Sequence, residues 1–539
     1  MATNLDEFFQ TRLPMNQNSS LVSQGEASTV NLRGLGTNQT LILLDGRRLP
    51  GRASIGGFTG QADLNGIPLS MIERIEILPS TASGIYGGGA TGGAINIITR
   101  KDYSGFEVAL SYQNPFDTDA SIRRATLNGS MQLEGGRTML TVNYSRSDGT
   151  RLLMQDRDFQ DRARALQLAN NPAAFFASTL PPSGYTTNIR SQNGSNLVLK
   201  TGTALNSPIT FVPVGYAGPA TDGGAALVSN AGRYNFALSD TILGRRKSLL
   251  ATPEQTSYGF SARRRFGDRV ELLVDASRFE NLGERDLALF TNLATLPVAA
   301  PNNPFTTPIT VIFPPTDISG TSDSRSVSDR LLAGAVVRLP REWSAGLDYV
   351  WSRSVSYIRS TAGLVGDPDG SGPGVSFATA LAAGTLNAIR DLNQFPLDYS
   401  AYLMPDPYSL ENFALRSDEI TLRGSGPVYR LPGGDVMLSA SAQYRDEKIP
   451  SSIRTGSSAT AFNYFWHPKV SLESRAYLAE LRIPIFAENA SAGWRRGLEF
   501  QLAGRRDEST ADALASTALI TLAGPDGPFP SVSYVERSY

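Results

Sequence analysis

From Gly105 to the end of the chain, the feature that most limits the fold is alternation with a period of two. In Phe106–Gln113, Phe106, Val108, Leu110 and Tyr112 share one face, and Glu107, Ala109, Ser111 and Gln113 share the other. Ala125, Leu127, Gly129, Met131 and Leu133 alternate with Thr126, Asn128, Ser130, Gln132 and Glu134, and Gly135-Gly136 then supplies a hairpin turn. Successive side chains of a strand point to opposite faces, so this pattern marks strands that lie between two different environments. It recurs at Val270–Ala276, Trp343–Ser352, Val436–Tyr444 and Leu498–Leu502. The reading gives eleven strands: 105–113, 122–134, 137–147, 256–266, 270–279, 329–339, 343–354, 418–430, 435–446, 472–485 and 498–507.

The connections sort by strand parity. Those after even-numbered strands are short turns, and those after odd-numbered strands are long loops. Such sorting describes a transmembrane β-barrel, with turns at one rim and loops at the other. The strand lengths suit a tilted crossing of about 9–11 residues. A soluble sandwich would not sort its connections this way. Two arginines, Arg264 and Arg506, fall on the apolar face. Arginine at the bilayer midplane costs about 2–4 kcal/mol and about 0–1 near an interface, so both are expected near strand ends.

Composition narrows the chemistry. The 539 residues contain no cysteine and one histidine, His467, and the formal net charge is −1 from 49 Lys+Arg and 50 Asp+Glu. Thiolate metal sites, disulfides and cysteine nucleophiles are excluded, as are His–His metal sites. The balanced charge argues against nucleic acid as a partner. No cofactor and no metal site is expected. No paired carboxylates or nucleophile–base arrangement stands out, so the chain reads as no enzyme. No run of 18 apolar residues occurs, and the opening MATNLDEFFQTRLP has no signal-peptide pattern. The mean hydropathy of −0.17 suits a barrel as well as a soluble protein.

Residues 1–104 are different: short, apolar and punctuated by glycine. Strand-like runs fall at Thr29–Arg33, Thr40–Leu44, Glu73–Leu78 and Ala94–Thr99, with helical turns at Ile67–Met71 and Thr81–Ile85. This is a small α+β domain. Four motifs follow in order: Val30–Gly36 (VNLRGLG), Thr40–Arg48 (TLILLDGRR), Ala62–Glu76 (ADLNGIPLSMIERIE) and Tyr86–Thr99 (YGGGATGGAINIIT). Together they closely resemble the plug domain of TonB-dependent outer-membrane receptors. The Leu339–Trp343 turn, Asn303-Pro304-Phe305 and Leu431–Gly434 also look like this family. The resemblance implies a fold of an α+β plug (residues 1–104, N-terminally incomplete) followed by the first half of an antiparallel outer-membrane β-barrel (105–539). About 11 of the family's roughly 22 strands would be present. The chain then reads as a piece truncated at both ends, with no recognisable TonB box in the residues before the plug.

The same resemblance implies active uptake of a scarce ligand, such as a ferric siderophore, vitamin or oligosaccharide, across a Gram-negative outer membrane. The implied partners are outer-membrane lipid, the TonB–ExbB–ExbD energy-transducing complex and the extracellular small ligand. Apex turns of the plug are the implied ligand site, with Asn38, Arg52, Phe58, Gln61 and Tyr86 as the candidates. Arg33, Glu73, Arg74 and Glu76 are the expected plug side of ion pairs with the barrel wall. Other classes stay open: a passive barrel channel or adhesin, a non-functional receptor fragment, or a soluble β-rich secreted enzyme.

Three further motifs favour structural readings. Gly87-x-Gly89-x-x-Gly92 spells a dinucleotide fingerprint, but a strand follows it where a helix is required. It is read as a close-packed turn. Asp367–Gly372 lacks the full EF-hand spacing and is read as a loop turn. His467, beside Trp466 and Tyr464 with no second histidine, is expected at an exposed or girdle position.

Overall fold

The computed structural model describes residues 5–17, 28–53, 59–79, 86, 89–101, 103–116, 120–157, 159–172, 184–250, 254–288, 292–315, 317, 319–360, 377–399, 402, 409–458, 461–485, 499–513 and 518–523. Phe58, the 81–85 turn and Asp367–Gly372 lie outside these residues.

The N-terminal unit is built on a four-stranded sheet. Its spatial order is Arg47–Arg48, Thr40–Leu44, Gly93–Thr99 and Ile72–Leu78. Thr40–Leu44 and Gly93–Thr99 are parallel and fully paired from Thr40↔Gly93 to Leu44↔Ile97. All five residues of Thr40–Leu44 are buried, as a central strand with both faces covered requires. The Asp45-Gly46 turn has φ of 52° and 77°, the two positive angles of a tight hairpin, and it reverses the chain into Arg47–Arg48. A helix at Leu5–Arg12, which the sequence reading lacks, seats Leu5 and Phe9 in the same core as Leu32, Leu64, Ile67, Ile95 and Ile97. Thr29–Arg33 forms no strand. Only Leu32 bridges, to Asn16, because the local backbone groups bond to Asn16 and Gln61 side chains instead.

All eleven long strands are present, in one antiparallel sheet and in sequence order. They are Gly105–Gln113, Ile122–Leu133, Thr138–Gly149, Glu254–Phe266, Val270–Ala288, Ser319–Arg338, Ser344–Ser360, Ser409–Leu431, Gly434–Ile449, Val470–Pro484 and Glu499–Ala513. The short pieces Ser452–Ser458, Ala461–His467 and Ala518–Ala523 extend the sheet at the loop rim. Several strands run beyond their expected ends. Backbone pairing continues there past the point where the side-chain alternation fades.

The two faces of this wall are inverted relative to a soluble sheet. In Ser344–Ser360 the buried residues are Gly346, Asp348, Val350, Ser352, Ser354 and Ser356, whereas Leu347 and Tyr349 are exposed. Asp348 is 1% exposed and Leu347 is 51% exposed. The same inversion holds for exposed Leu110, Phe260, Leu272, Leu422, Tyr477 and Leu502 against buried Asn128, Thr141, Ser145, Ser257, Asp275 and Ser417. Polar side chains face the plug, and large apolar ones face outward. A sheet with this pattern is stable where the outer medium is itself apolar. Arg264 conforms to expectation, next to a turn and paired with Glu134 at 3.1 Å. Arg506 does not lie at a strand end. Its strand continues to Ala513, and Arg506 pairs on the outer face with Glu508 at 2.6 Å.

The long connections 150–253, 289–318 and 361–408 are not independent loops. They share the largest hydrophobic core of the described residues, including Ile189, Leu199, Phe305, Phe313, Phe377 and Tyr399. A four-stranded sheet lies at its centre, in the order Ile209–Phe211, Asn188–Ser191, Ile309–Ile312 and Leu293–Leu296. Hydrogen bonds knit the three connections together: Thr187 Oγ1 to Ala388 O (2.7 Å), Asn302 Nδ2 to Leu386 O (3.1 Å) and the Lys200 amide to Pro304 O (2.8 Å). Asn303 Oδ1 accepts from the Phe305 amide at 2.9 Å and so fixes the backbone there. Phe305 is fully buried. Replacing it with alanine is expected to cost about 3–5 kcal/mol. Limited proteolysis of Phe305→Ala should cut within 184–250 and 292–315 while the long strands stay protected. Equal protection of Phe305→Ala and the unsubstituted chain would disprove a shared core.

Candidate functional site

The plug meets the wall through charges on the Asp45–Arg48 hairpin and the chain that leaves the plug. Asp45 accepts from the Thr99 amide (2.9 Å), the Thr99 hydroxyl (2.8 Å) and Lys101 Nζ (2.9 Å). Lys101 also donates to Asp275 on the fifth wall strand at 3.0 Å. Arg47 Nη2 lies 3.0 Å from Asp348 Oδ2 on the seventh strand. Arg52 Nη2 donates to Ser356 Oγ at 3.2 Å. Apolar contacts join the two as well: Ala53 of the plug clusters with Phe413, Leu415 and Ile449 of the wall, and Phe279 of the wall packs into the plug core. A Cβ on Gly66 would stand 2.6 Å from that of Phe279, so only glycine allows the approach.

Among the described residues, the four side chains expected to meet the wall have other surroundings. Arg74 pairs with Glu73 at 2.7 Å and with Glu76 at 2.9 Å, and Glu76 also accepts from Asn96 at 3.0 Å. All three charges pair on the plug itself, on Ile72–Leu78, an edge strand of its sheet. Arg33 stands in an exposed turn with φ of 60°, its amide donated to Met15 O. The working cations are Arg47, Arg52 and Lys101. The signal for Arg47 was present in the sequence, directly after the Asp45-Gly46 turn.

Beside these contacts, a cavity of about 460 Å³ separates the plug from the wall. Asn38, Gln61 and Tyr86 line it, together with Arg48, and Glu419, Arg445, Glu447 and Arg505 face them from the wall. Three of the five candidate ligand residues are thus brought to one space, and Arg52 reaches the wall instead. Gln61 has a second task. Its side chain accepts from the Val30 amide (2.6 Å) and donates to Val30 O, Thr37 O and Thr40 O, at 3.0, 3.0 and 2.8 Å. These bonds tie three plug segments together, so Gln61 shapes the cavity floor. Arg48 donates to Tyr86 O, and so fixes Tyr86 at the rim. Burial, then the nearby Arg445, lower the Arg48 pKa to about 10, so it stays cationic at neutral pH. Arginines and carboxylates alternate around the space. Such a lining suits a ligand recognised by hydrogen bonds and local charge more than an apolar one.

The described end of the glycine-rich segment is closely packed, and Gly89 has a positive φ of 86°. The strand Gly93–Thr99 follows it, and a Cβ on Gly92 would lie 3.0 Å from Gln39 O. Among the described residues, no group of histidine, cysteine or carboxylate side chains could hold a metal ion. His467 is half-buried at the loop rim, 6.3 Å from the Phe413 ring.

Comparison with known proteins places the N-terminal unit. Residues 1–94 match the family model described as the TonB-dependent receptor plug domain. Among solved structures, the chain is similar to the ferric yersiniabactin uptake receptor of Yersinia pestis, with 11% identity and a TM-score of 0.44 over 94% of this chain and 58% of that one. It is also similar to a mutant ferric enterobactin receptor of Pseudomonas aeruginosa solved with enterobactin, with 13% identity and a TM-score of 0.41 over 91% and 60% of the two chains. The chain thus spans about 60% of the length of these proteins.

Asp63 gives a pH test of how the plug is seated. It accepts from the Ser28 amide at 3.2 Å and the Asn65 amide at 3.0 Å, and it is surrounded by plug and wall. Burial raises its pKa, against the opposing pull of Arg52. A carboxyl with a raised folded-state pKa binds more protons folded than unfolded. Its stabilising share is complete below the unfolded value of about 3.9 and is lost as pH rises towards the folded value. Plug stability, read by urea titration, should therefore fall from pH 4 towards neutrality, and Asp63→Asn should flatten that slope. An unchanged slope would show that Asp63 is not the titrating group.

Proposed function

We propose, from residues 1–94 being a TonB-dependent receptor plug domain, that this chain is part of an outer-membrane receptor that takes up a scarce ligand actively. One observation carries the reading: the wall turns apolar side chains outward and polar ones inward, onto a plug fastened to it by Arg47 and Lys101. A passive channel has no use for a lumen filled by a folded, charge-anchored domain. A soluble enzyme has no use for a belt of exposed Leu110, Leu422 and Leu502. The membrane in question is the outer membrane of a Gram-negative bacterium, and lipid is the partner of the outer face.

In this reading the ligand enters from the loop rim and binds in the space lined by Asn38 and Tyr86. Ferric siderophores, vitamins and oligosaccharides are the ligand classes considered, and the two solved receptors named above are receptors for ferric yersiniabactin and ferric enterobactin. The TonB–ExbB–ExbD complex would supply force to the plug, and no covalent chemistry is required of the chain. Asn38 and Tyr86 are the side chains assigned to ligand contact. Gln61 holds their loops in place.

The test is uptake of a labelled ferric siderophore panel by cells carrying the receptor, with and without TonB. Uptake should require TonB. Asn38→Ala with Tyr86→Ala should lower uptake about tenfold while the amount of protein in the outer-membrane fraction stays constant, since two lost hydrogen-bonding contacts are worth about 1–3 kcal/mol. Gln61→Ala should instead lower plug stability. TonB-independent uptake would favour a passive channel, and unchanged uptake in the double variant would remove the cavity assignment.

A further inference from the structure

Each wall aspartate that receives a plug cation has an arginine of the wall beside it. Asp275 binds Lys101, and its directly opposed residue on the sixth strand is Leu332. Arg330 is two residues from Leu332 on the same inward face, the diagonal position that a long side chain can span. Asp348 binds Arg47 and is opposed by Thr421 on the eighth strand. Arg423 is two residues from Thr421, again diagonal, and already pairs with Asp348. So the arrangement occurs twice, on two separate strand pairs.

Arg330 is the more telling case. It is 4% exposed, its Nε and Nη2 are buried without a hydrogen-bond partner, and it lines the same small cavity of about 20 Å³ as Lys101 and Asp275. Leaving arginine donors unpaired in the interior is costly. A partner for them stands close by, but Lys101 and the Ser261 hydroxyl (2.5 Å) already occupy it.

We propose that Arg330 and Arg423 are reserve counter-ions that let the plug leave the wall without abandoning a buried carboxylate. As Lys101 withdraws, Arg330 takes over Asp275. As Arg47 withdraws, Arg423 alone keeps Asp348 neutralised. Removing one partner of a buried ion pair is strongly destabilising because the other charge is left uncompensated. A standing second cation removes that barrier, and in the resting state it competes with the plug cation for the same carboxylate. Both effects ease release. The inference rests on the proposed function only in taking the plug as the part that departs.

The test uses denaturant to release the plug, so it needs neither ligand nor TonB and stays valid if the transport reading fails. The chain has no cysteine. Thr141→Cys therefore places a single thiol on the third strand, at the same plug-covered cavity. Reaction of this thiol with a charged maleimide is followed in the full chain in detergent micelles at increasing urea. In this background Arg330→Gln should slow labelling about tenfold, Asp275→Asn should speed it, and the double variant should match Asp275→Asn alone. Arg330→Lys, which keeps the charge, should restore the original rate. Faster or unchanged labelling in Arg330→Gln, or an equal effect of that substitution with and without Asp275, would overturn the proposal. Should Arg330→Gln fail to accumulate, the same cycle with Arg423→Gln and Asp348→Asn decides, with the same expected signs.

Discussion

The wall strands must satisfy two media at once, and the rest of the molecule answers that requirement. Outward, the strands present Leu110, Leu347, Leu422 and Leu502, and inward Asn128, Ser145, Asp275 and Asp348. Water on both sides would make the outer belt a liability, and hydrocarbon on both sides would make the inner face one. The polar face therefore calls for a hydrated or protein-filled interior, and here a folded domain fills it. The plug brings its own cations to carboxylates that the wall has already placed, so burial of charge at this interface is balanced locally.

Strength and release are set by the same groups. Asp45 gathers Thr99 and Lys101, and Lys101 continues to Asp275, so the segment leaving the plug is fastened at both ends. Such pairs gain little net free energy over an apolar contact but cost much when half-broken. They favour a seated plug and resist partial displacement. A second wall arginine beside each carboxylate changes the second property while leaving the first. The cap at the loop rim solves a different problem. Its three connections bury Phe305, Phe313 and Phe377 in one core, which fixes loops that would otherwise have to be ordered separately.

Much of this was legible in residue order. Alternation placed all eleven wall strands because each strand has one apolar and one polar face, and that contrast needs no knowledge of neighbours. The Asp45-Gly46 pair placed the plug hairpin because few residues tolerate its two positive φ angles. The ion pairs were not legible in the same way. Glu73, Arg74 and Glu76 looked like wall contacts because they are charged, and yet they satisfy one another on the plug. The cap was missed altogether, since its apolar residues are spread over three loops with no common period. Of the candidate site, Asn38, Gln61 and Tyr86 line one cavity, and Gln61 is spent on backbone groups.

The sequence alone determined which residues form the wall, which face of each strand is apolar and where the plug hairpin turns. These follow from local periodicity and backbone preference. The tertiary structure alone decided which charge meets which, because Arg47 and Asp348, or Lys101 and Asp275, are brought together by strand register and plug position across hundreds of residues. It also decided that three loops share one core, for the same reason: contact between distant segments is a property of the packed chain and leaves no pattern along it.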